Sequence, residues 1–216
     1  THADGKNHGI VMYLDWSGSM SGILKDTIEQ LIILTEFCQK VNIPFDVYAF
    51  TSKQLKGTEK DGYRCESELQ TDRGGKDVLS VHAFSLMQFL SSDMKTSEYK
   101  TAVQRLYHLG KSNSYYCHGN YPDGMGLGCT PLNEAIMCAL TQVPAFQAKH
   151  DVQIVNTVFL TDGDGHSMGA NSWGNDKNII HDPKTRKDYE VSDETNTYLK
   201  ILQERTGTNL IGIRLT

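Results

Sequence analysis

Nowhere in this 216-residue chain does an apolar run approach the roughly 20 residues needed to cross a bilayer, so no helical membrane span is expected. No stretch of these residues reads as a charged, apolar and small-residue leader, so a secretory signal is not expected within them. Basic residues are in deficit. The 21 Lys and Arg against 26 Asp and Glu leave a formal net charge of −5, and no basic run interleaves with aromatics. A nucleic-acid-binding face is therefore not expected. Cysteine is too sparse and irregular for a disulfide scaffold: the five (Cys38, Cys65, Cys117, Cys129, Cys138) are odd in number and include no C-x-x-C pair. That pattern fits a reduced, cytoplasmic chain. Cys117-His118 with Cys129 is the nearest approach to a soft-metal site. The alternative is that these are isolated thiols packed as small apolar groups. The chain opens at Thr1 without a methionine and stops at Thr216 directly after a strand, so residues 1–216 are expected to be one domain cut from a longer protein. Its length suffices for one sizeable α/β core.

What is present centres on residues 10–19. Ile10 to Leu14 is apolar throughout, the pattern of a strand buried on both faces, and it ends abruptly in Asp15-Trp16-Ser17-Gly18-Ser19. In a parallel sheet the carboxyl end of such a strand opens into the crevice where α/β proteins place ligands. Asp15, Ser17 and Ser19 are hard oxygen donors on one tight loop, suited to Mg²⁺, Mn²⁺ or Ca²⁺. The competing reading is a plain polar turn, because Asp, Ser and Gly are turn residues.

Further along, Leu24, Ile28, Leu31, Ile32, Thr35 and Cys38 fall on one face, which predicts a helix over 22–40 that Asn42 and Pro44 stop. Phe45 to Phe50 is the next strand, parallel to the first through a right-handed crossover. Thr51 to Asp77 is read as a long surface loop, and Val78 to Phe84 as a short edge strand. Tyr99, Val103, Leu106 and Tyr107 mark a helix that Gly110 is placed to end, and 111–128 is again loop.

Pro131 suits a first helical position with Thr130 as the cap before it, and Leu132, Ile136, Ala139, Leu140 and Val143 share the following helical face. Thr130 is then either a cap or a hydroxyl presented towards the Asp15 loop. Val152 to Leu160 is a second largely apolar strand, ending in Thr161-Asp162-Gly163-Asp164-Gly165, so Asp162 repeats the placement of Asp15 while Asp164 serves the turn. Residues 179–191 read as a hairpin. Asp193 or Ser192 caps a last helix with Tyr198, Leu199 and Leu202 inward, Gly207 ends it, and Leu210 to Leu215 is the final strand. His118, His166 and His181 are placed in loops, as solvated or turn residues.

Taken together, D-x-S-x-S at Asp15, Ser17 and Ser19, then Thr130, then Asp162, resembles the metal-ion-dependent adhesion site of the von Willebrand factor A domain. Within that superfamily the chain resembles the CobT-type C-terminal domain of cobaltochelatase and phage-encoded relatives. The residues that carry this are Leu14 to Met20, Phe45 to Ser52 with Lys56-Gly57, Thr130 to Ala135, and Leu160 to Gly163. The loop 111–128, the hairpin 179–191 and the lack of a helix after Leu215 depart from that pattern. The resemblance implies an α/β, doubly wound, mostly parallel sheet of Rossmann-like type with helices on both faces, one short edge strand and an inserted hairpin.

It further implies that Ser17, Ser19 and Thr130 bind a divalent ion directly, Mg²⁺ first and Mn²⁺ or Ca²⁺ next, with Asp15 and Asp162 acting directly or through water. Three neutral hydroxyls and two partly distant acids leave such an ion under-neutralised and open to another carboxylate. In the family that carboxylate comes from a partner protein, and relatives work with MoxR-type AAA+ ATPases. The expectation is a non-catalytic interaction module in the cytoplasm, host cytoplasm if phage-encoded, with Trp16 either rimming the docking surface or packing beneath it. The alternatives are a metal-dependent hydrolase or a chelatase subunit. The hydrolase reading lacks a paired base and nucleophile in the sequence.

Overall fold

The structure is a computed structural model, and it describes residues 7–52, 79, 83–112, 122, 124–168 and 178–216. Two strands form its centre, β1 (His8–Asp15) and β4 (Ile154–Thr161), paired in parallel from His8↔Ile154 to Leu14↔Leu160. On the far side of β1 lies β2 (Phe45–Thr51), also parallel, and beyond it β3 (Ser85–Ser91), antiparallel. Beyond β4 lies β7 (Asn209–Arg214), so the sheet order is β3-β2-β1-β4-β7. The crossovers leave β1 in one direction and β4 in the other, which puts a topological switch point at their carboxyl ends.

The unbroken apolar run of β1 is explained by what covers it. Val11 and Tyr13 belong to one buried cluster with α3 (Leu132–His150) and α4 (Glu194–Thr206), whereas Met12 and Leu14 belong to a second with α1 (Leu24–Lys40) and α2 (Thr96–Ser112). Alternate side chains thus enter two different cores. Tyr13 stacks between Tyr48 and Phe159, at 5.6 and 4.9 Å between ring centres. The chain is therefore the doubly wound, mostly parallel α/β domain that the sequence led us to expect, with helices on both faces.

The hairpin is formed by β5 (Ile179–Asp182) and β6 (Lys187–Glu190), which pair with each other and not with the main sheet. Buried Asp182 ties it to the last helix. Its carboxylate accepts from the Arg205 guanidinium and from the Thr185 hydroxyl, the latter at 2.7 Å. Asp193 caps α4 by accepting from the Asn196 N–H at 2.8 Å, and Gly207 closes it in the left-handed region at φ 68°.

Several expectations are corrected. The edge strand begins at Ser85, not within 78–84. Leu79, Ala83 and Phe84 are in no strand, and the remaining residues of that span lie outside the described set. The valines there drew the reading forward, whereas pairing of Phe50 with Leu86 decides the register. Gly110 does not end α2 but lies inside it, where α1 comes so close that a Cβ would sit 2.7 Å from Ile28 Cδ1. His181 stands on β5, its Nδ1 2.7 Å from Asp188 Oδ1, and not in a loop. The 51–77 loop beyond Ser52, and His118, Cys65 and Cys117, fall outside the described residues. Cys38, Cys129 and Cys138 are free thiols.

Candidate functional site

The carboxyl ends of β1 and β4 bring three of the five expected side chains, Ser17, Ser19 and Asp162, into one hydrogen-bonded group, with Asp15 buried beside it. After Asp15 the chain turns outward. Trp16 N–H donates to Phe50 O at 2.9 Å, and a short bridge to Gly128 holds the next residues, with Gly18 N–H on Gly128 O at 2.8 Å and Gly128 N–H on Trp16 O at 3.1 Å. A 3₁₀ turn over Ser19–Gly22 then leads into α1. Held this way, the Ser17 and Ser19 hydroxyls lie 3.0 Å apart, and Ser19 Oγ donates to Asp162 Oδ1 at 2.9 Å. Residues 143 positions apart in sequence therefore meet across the switch point.

Asp15 is fully buried. Its Oδ2 accepts from the Thr161 hydroxyl at 2.7 Å, while its Oδ1 is buried without a hydrogen-bond partner among the described residues. Burial pushes its carboxyl up to about 6, and the nearby Asp162 charge adds to this. The Thr161 and Ser17 hydroxyls and the Ser17 amide pull in the opposite direction without satisfying Oδ1. A buried, part-satisfied carboxylate beside a second acid costs free energy in the unliganded chain.

Thr130 comes from the segment that Gly128 anchors to Ser17, and its carbonyl accepts from His166 N–H at 3.4 Å. It is nearly buried and is not the helix cap: Pro131 holds the cap position of α3, without a side-chain cap bond. The capping explanation for its hydroxyl is thereby removed. Asp164 is exposed on the loop after Asp162. Trp16 does not rim a surface. It is completely buried, donates from Nε1 to Met125 O at 2.7 Å and meets Phe89 edge-on at 5.0 Å.

Two residues escaped the sequence reading. Thr161 orients Asp15 and also accepts from Gly163 N–H at 3.2 Å. Asn133 donates to His166 O at 2.7 Å and accepts from the Thr195 hydroxyl at 2.8 Å, which ties the acid loop to the starts of α3 and α4. A polar residue directly after a helix start and a hydroxyl directly before a strand-end acid are the signals that could have found them. Beside this loop a cleft of about 460 Å³ opens between Leu132, Gly163, Asp164, Leu199 and Arg214.

The donors are two carboxylates and neutral hydroxyls. Among the described residues no three His, Cys, Asp or Glu side chains cluster in a way that could hold a metal ion, so thiolate or imidazole coordination has no basis there. The set fits a hard divalent cation, and the orphaned Asp15 Oδ1 is the atom such a cation would satisfy. Among the described residues no helix is long and apolar enough to cross a membrane.

No protein-family model matches this chain, and no curated protein matches it. Among solved structures it is similar to the pilus adhesin RrgA from Streptococcus pneumoniae, with a TM-score of 0.40 and 16% sequence identity. That match covers 76% of this chain and 21% of the adhesin chain, so the chain spans about a fifth of that protein's length.

Proposed function

We propose that the chain is a protein-interaction module that captures a partner's carboxylate through a divalent cation held by Asp15, Ser17, Ser19, Thr130 and Asp162. One observation carries this reading: Ser17, Ser19 and Asp162 form a single hydrogen-bonded group beside a fully buried Asp15 that keeps one oxygen unpartnered. Mg²⁺ is the first candidate, with Mn²⁺ and Ca²⁺ next, because the donors are all hard oxygens. When bound, such an ion would supply a positive charge that three neutral hydroxyls and two acids, one or both acting through water, leave open to one more anionic ligand.

The remaining work falls to the protein. Thr161 holds Asp15 in place, the Gly128 bridge holds the serine loop, and Asn133 fixes the loop after Asp162. The adjoining cleft, walled by Leu132, Leu199 and Arg214, offers apolar contact to residues flanking a captured acid. The partner class we would seek first is a MoxR-type AAA+ ATPase, following the family resemblance.

The test is affinity capture of partners by the wild type, by Thr130→Ala and by Asp15→Asn, with Mg²⁺ and with EDTA. The expected outcome is a partner retained only by the wild type and only with the cation. Retention by either variant, or in EDTA, would overturn the reading.

A further inference from the structure

The cleft beside the candidate cation site owes its depth to a side chain that is missing from β7. Gly212 pairs with Phe159 of β4 and, like Leu210, belongs to the sheet face turned towards α3 and α4. It lines the cleft of about 460 Å³ together with buried Phe159 and Ile136. Two ordinary reasons for a glycine in a strand do not apply to it. Its φ is not in the left-handed region, and a Cβ added to it would meet no atom within 4 Å. A glycine inside a strand weakens it and marks a place where a ligand or a second backbone comes close. In this fold Gly212 keeps the cleft open. The cleft also shares walls with the cation site. Leu132 follows Thr130 by two residues and Gly163 follows Asp162 directly, so the cleft begins within about 8 Å of chain from two of the expected donors. Leu199 of α4 adds an apolar wall. Exposed Asp164 and Arg214, one charge of each sign, line it too and suit the N–H and C=O groups of a peptide backbone.

We propose that this cleft selects the partner segment: an extended stretch of polypeptide whose Asp or Glu is held by the cation and whose large aliphatic side chain, two positions away, fills the space left by Gly212. The inference rests on the cation-mediated capture proposed above. An extended peptide rises about 3.4 Å per residue and turns the same way at every second one. The acid and a residue about 7 Å along from it therefore both face the domain, while the residue between them faces away. The cation alone accepts any carboxylate that reaches it. The cleft adds a demand for an apolar group at a fixed spacing, and so gives the site its specificity.

Fluorescence anisotropy with labelled Gly/Ser dodecamers, in the presence of Mn²⁺, tests this. One peptide carries a single Glu, two carry Glu with Leu two positions before or after it, one carries Glu with Leu adjacent, and one carries Leu alone. One of the two spaced peptides should bind about tenfold tighter than Glu alone, or better, and the adjacent arrangement should gain little. Leu alone should not bind. In Gly212→Leu the added side chain fills the cleft, so the gain from the spaced Leu should vanish. The same variant should keep the affinity for the single-Glu peptide and the Mn²⁺ binding seen by water-proton relaxation, and should melt no lower than wild type. Equal binding of the spaced and single-Glu peptides, or a gain that Gly212→Leu retains, would overturn this inference and leave cation capture standing. Leu alone binding as tightly as the spaced peptides would overturn it too, since the cleft would then work without the acid. Absence of any peptide binding to the Mn²⁺-loaded chain would overturn capture and this inference together.

Discussion

Asp15 shows the conflict at the residue scale most clearly. Its carboxylate is fully buried, bonded on one oxygen by Thr161 and unpartnered on the other, next to the charge of Asp162. A stability-optimised protein would not keep an ionised acid there. Asp15→Asn keeps the shape and removes the buried charge, so the cation-free variant should melt no lower than wild type and up to a few degrees higher. The same variant should lose any stabilisation by added Mg²⁺. Calorimetry with and without the ion checks both halves, and a cation-free Asp15→Asn chain melting well below wild type would contradict the description of Asp15 as strained. Asp15, Ser17, Ser19 and Asp162 were legible in the sequence because they end or follow one strand that is apolar throughout and a second that is largely so. Thr161 and Asn133 were not, because a hydroxyl and an amide act here only through partners that the fold brings from far along the chain.

At the scale of elements, two contacts decide how the pieces sit. Asp182 joins the hairpin to α4 through Arg205, and that guanidinium, with the Thr185 hydroxyl, holds the Asp182 carboxyl well below the usual carboxylate range. A lowered folded-state pKa contributes stability that is fully present above the ordinary carboxylate value near 4 and is lost as pH falls towards the folded value. Asp182→Asn should therefore cost about 3 kcal/mol near neutrality, and its deficit against wild type should shrink below about pH 4. A deficit constant with pH in urea titrations would count against the ion pair. Gly110 marks the close approach of α2 to α1, so Gly110→Leu should cost about 1–3 kcal/mol through the clash with Ile28. An unchanged urea midpoint would mean that the helices can part there freely. Neither element was fully readable in advance: a glycine near a helix end looks like a stop, and only the packing of α1 and α2 reveals it as an inner contact. β3 was misplaced for a related reason, since its Ser-Leu-Met-Gln-Phe-Leu-Ser sequence has weak strand preference and is held by pairing with β2.

For the whole molecule, the arrangement follows from two strands that diverge at one switch point and leave oxygen donors in the crevice between them. The doubly wound architecture was legible because β1 reads as a strand buried on both faces and strands alternate with helices along the chain. The exposure of Ile211 and Ile213 on β7 was not, since the apolar sequence of a final strand does not show how much of it is covered. The central claim concerns the crevice, and titration of the cation-free chain with Mn²⁺, followed by calorimetry and by water-proton relaxation, addresses it most directly. One ion per chain, displaced by excess Mg²⁺ and lost in both Thr130→Ala and Asp162→Asn, is the expected result. Absence of binding, or binding that both variants retain undiminished, would contradict it.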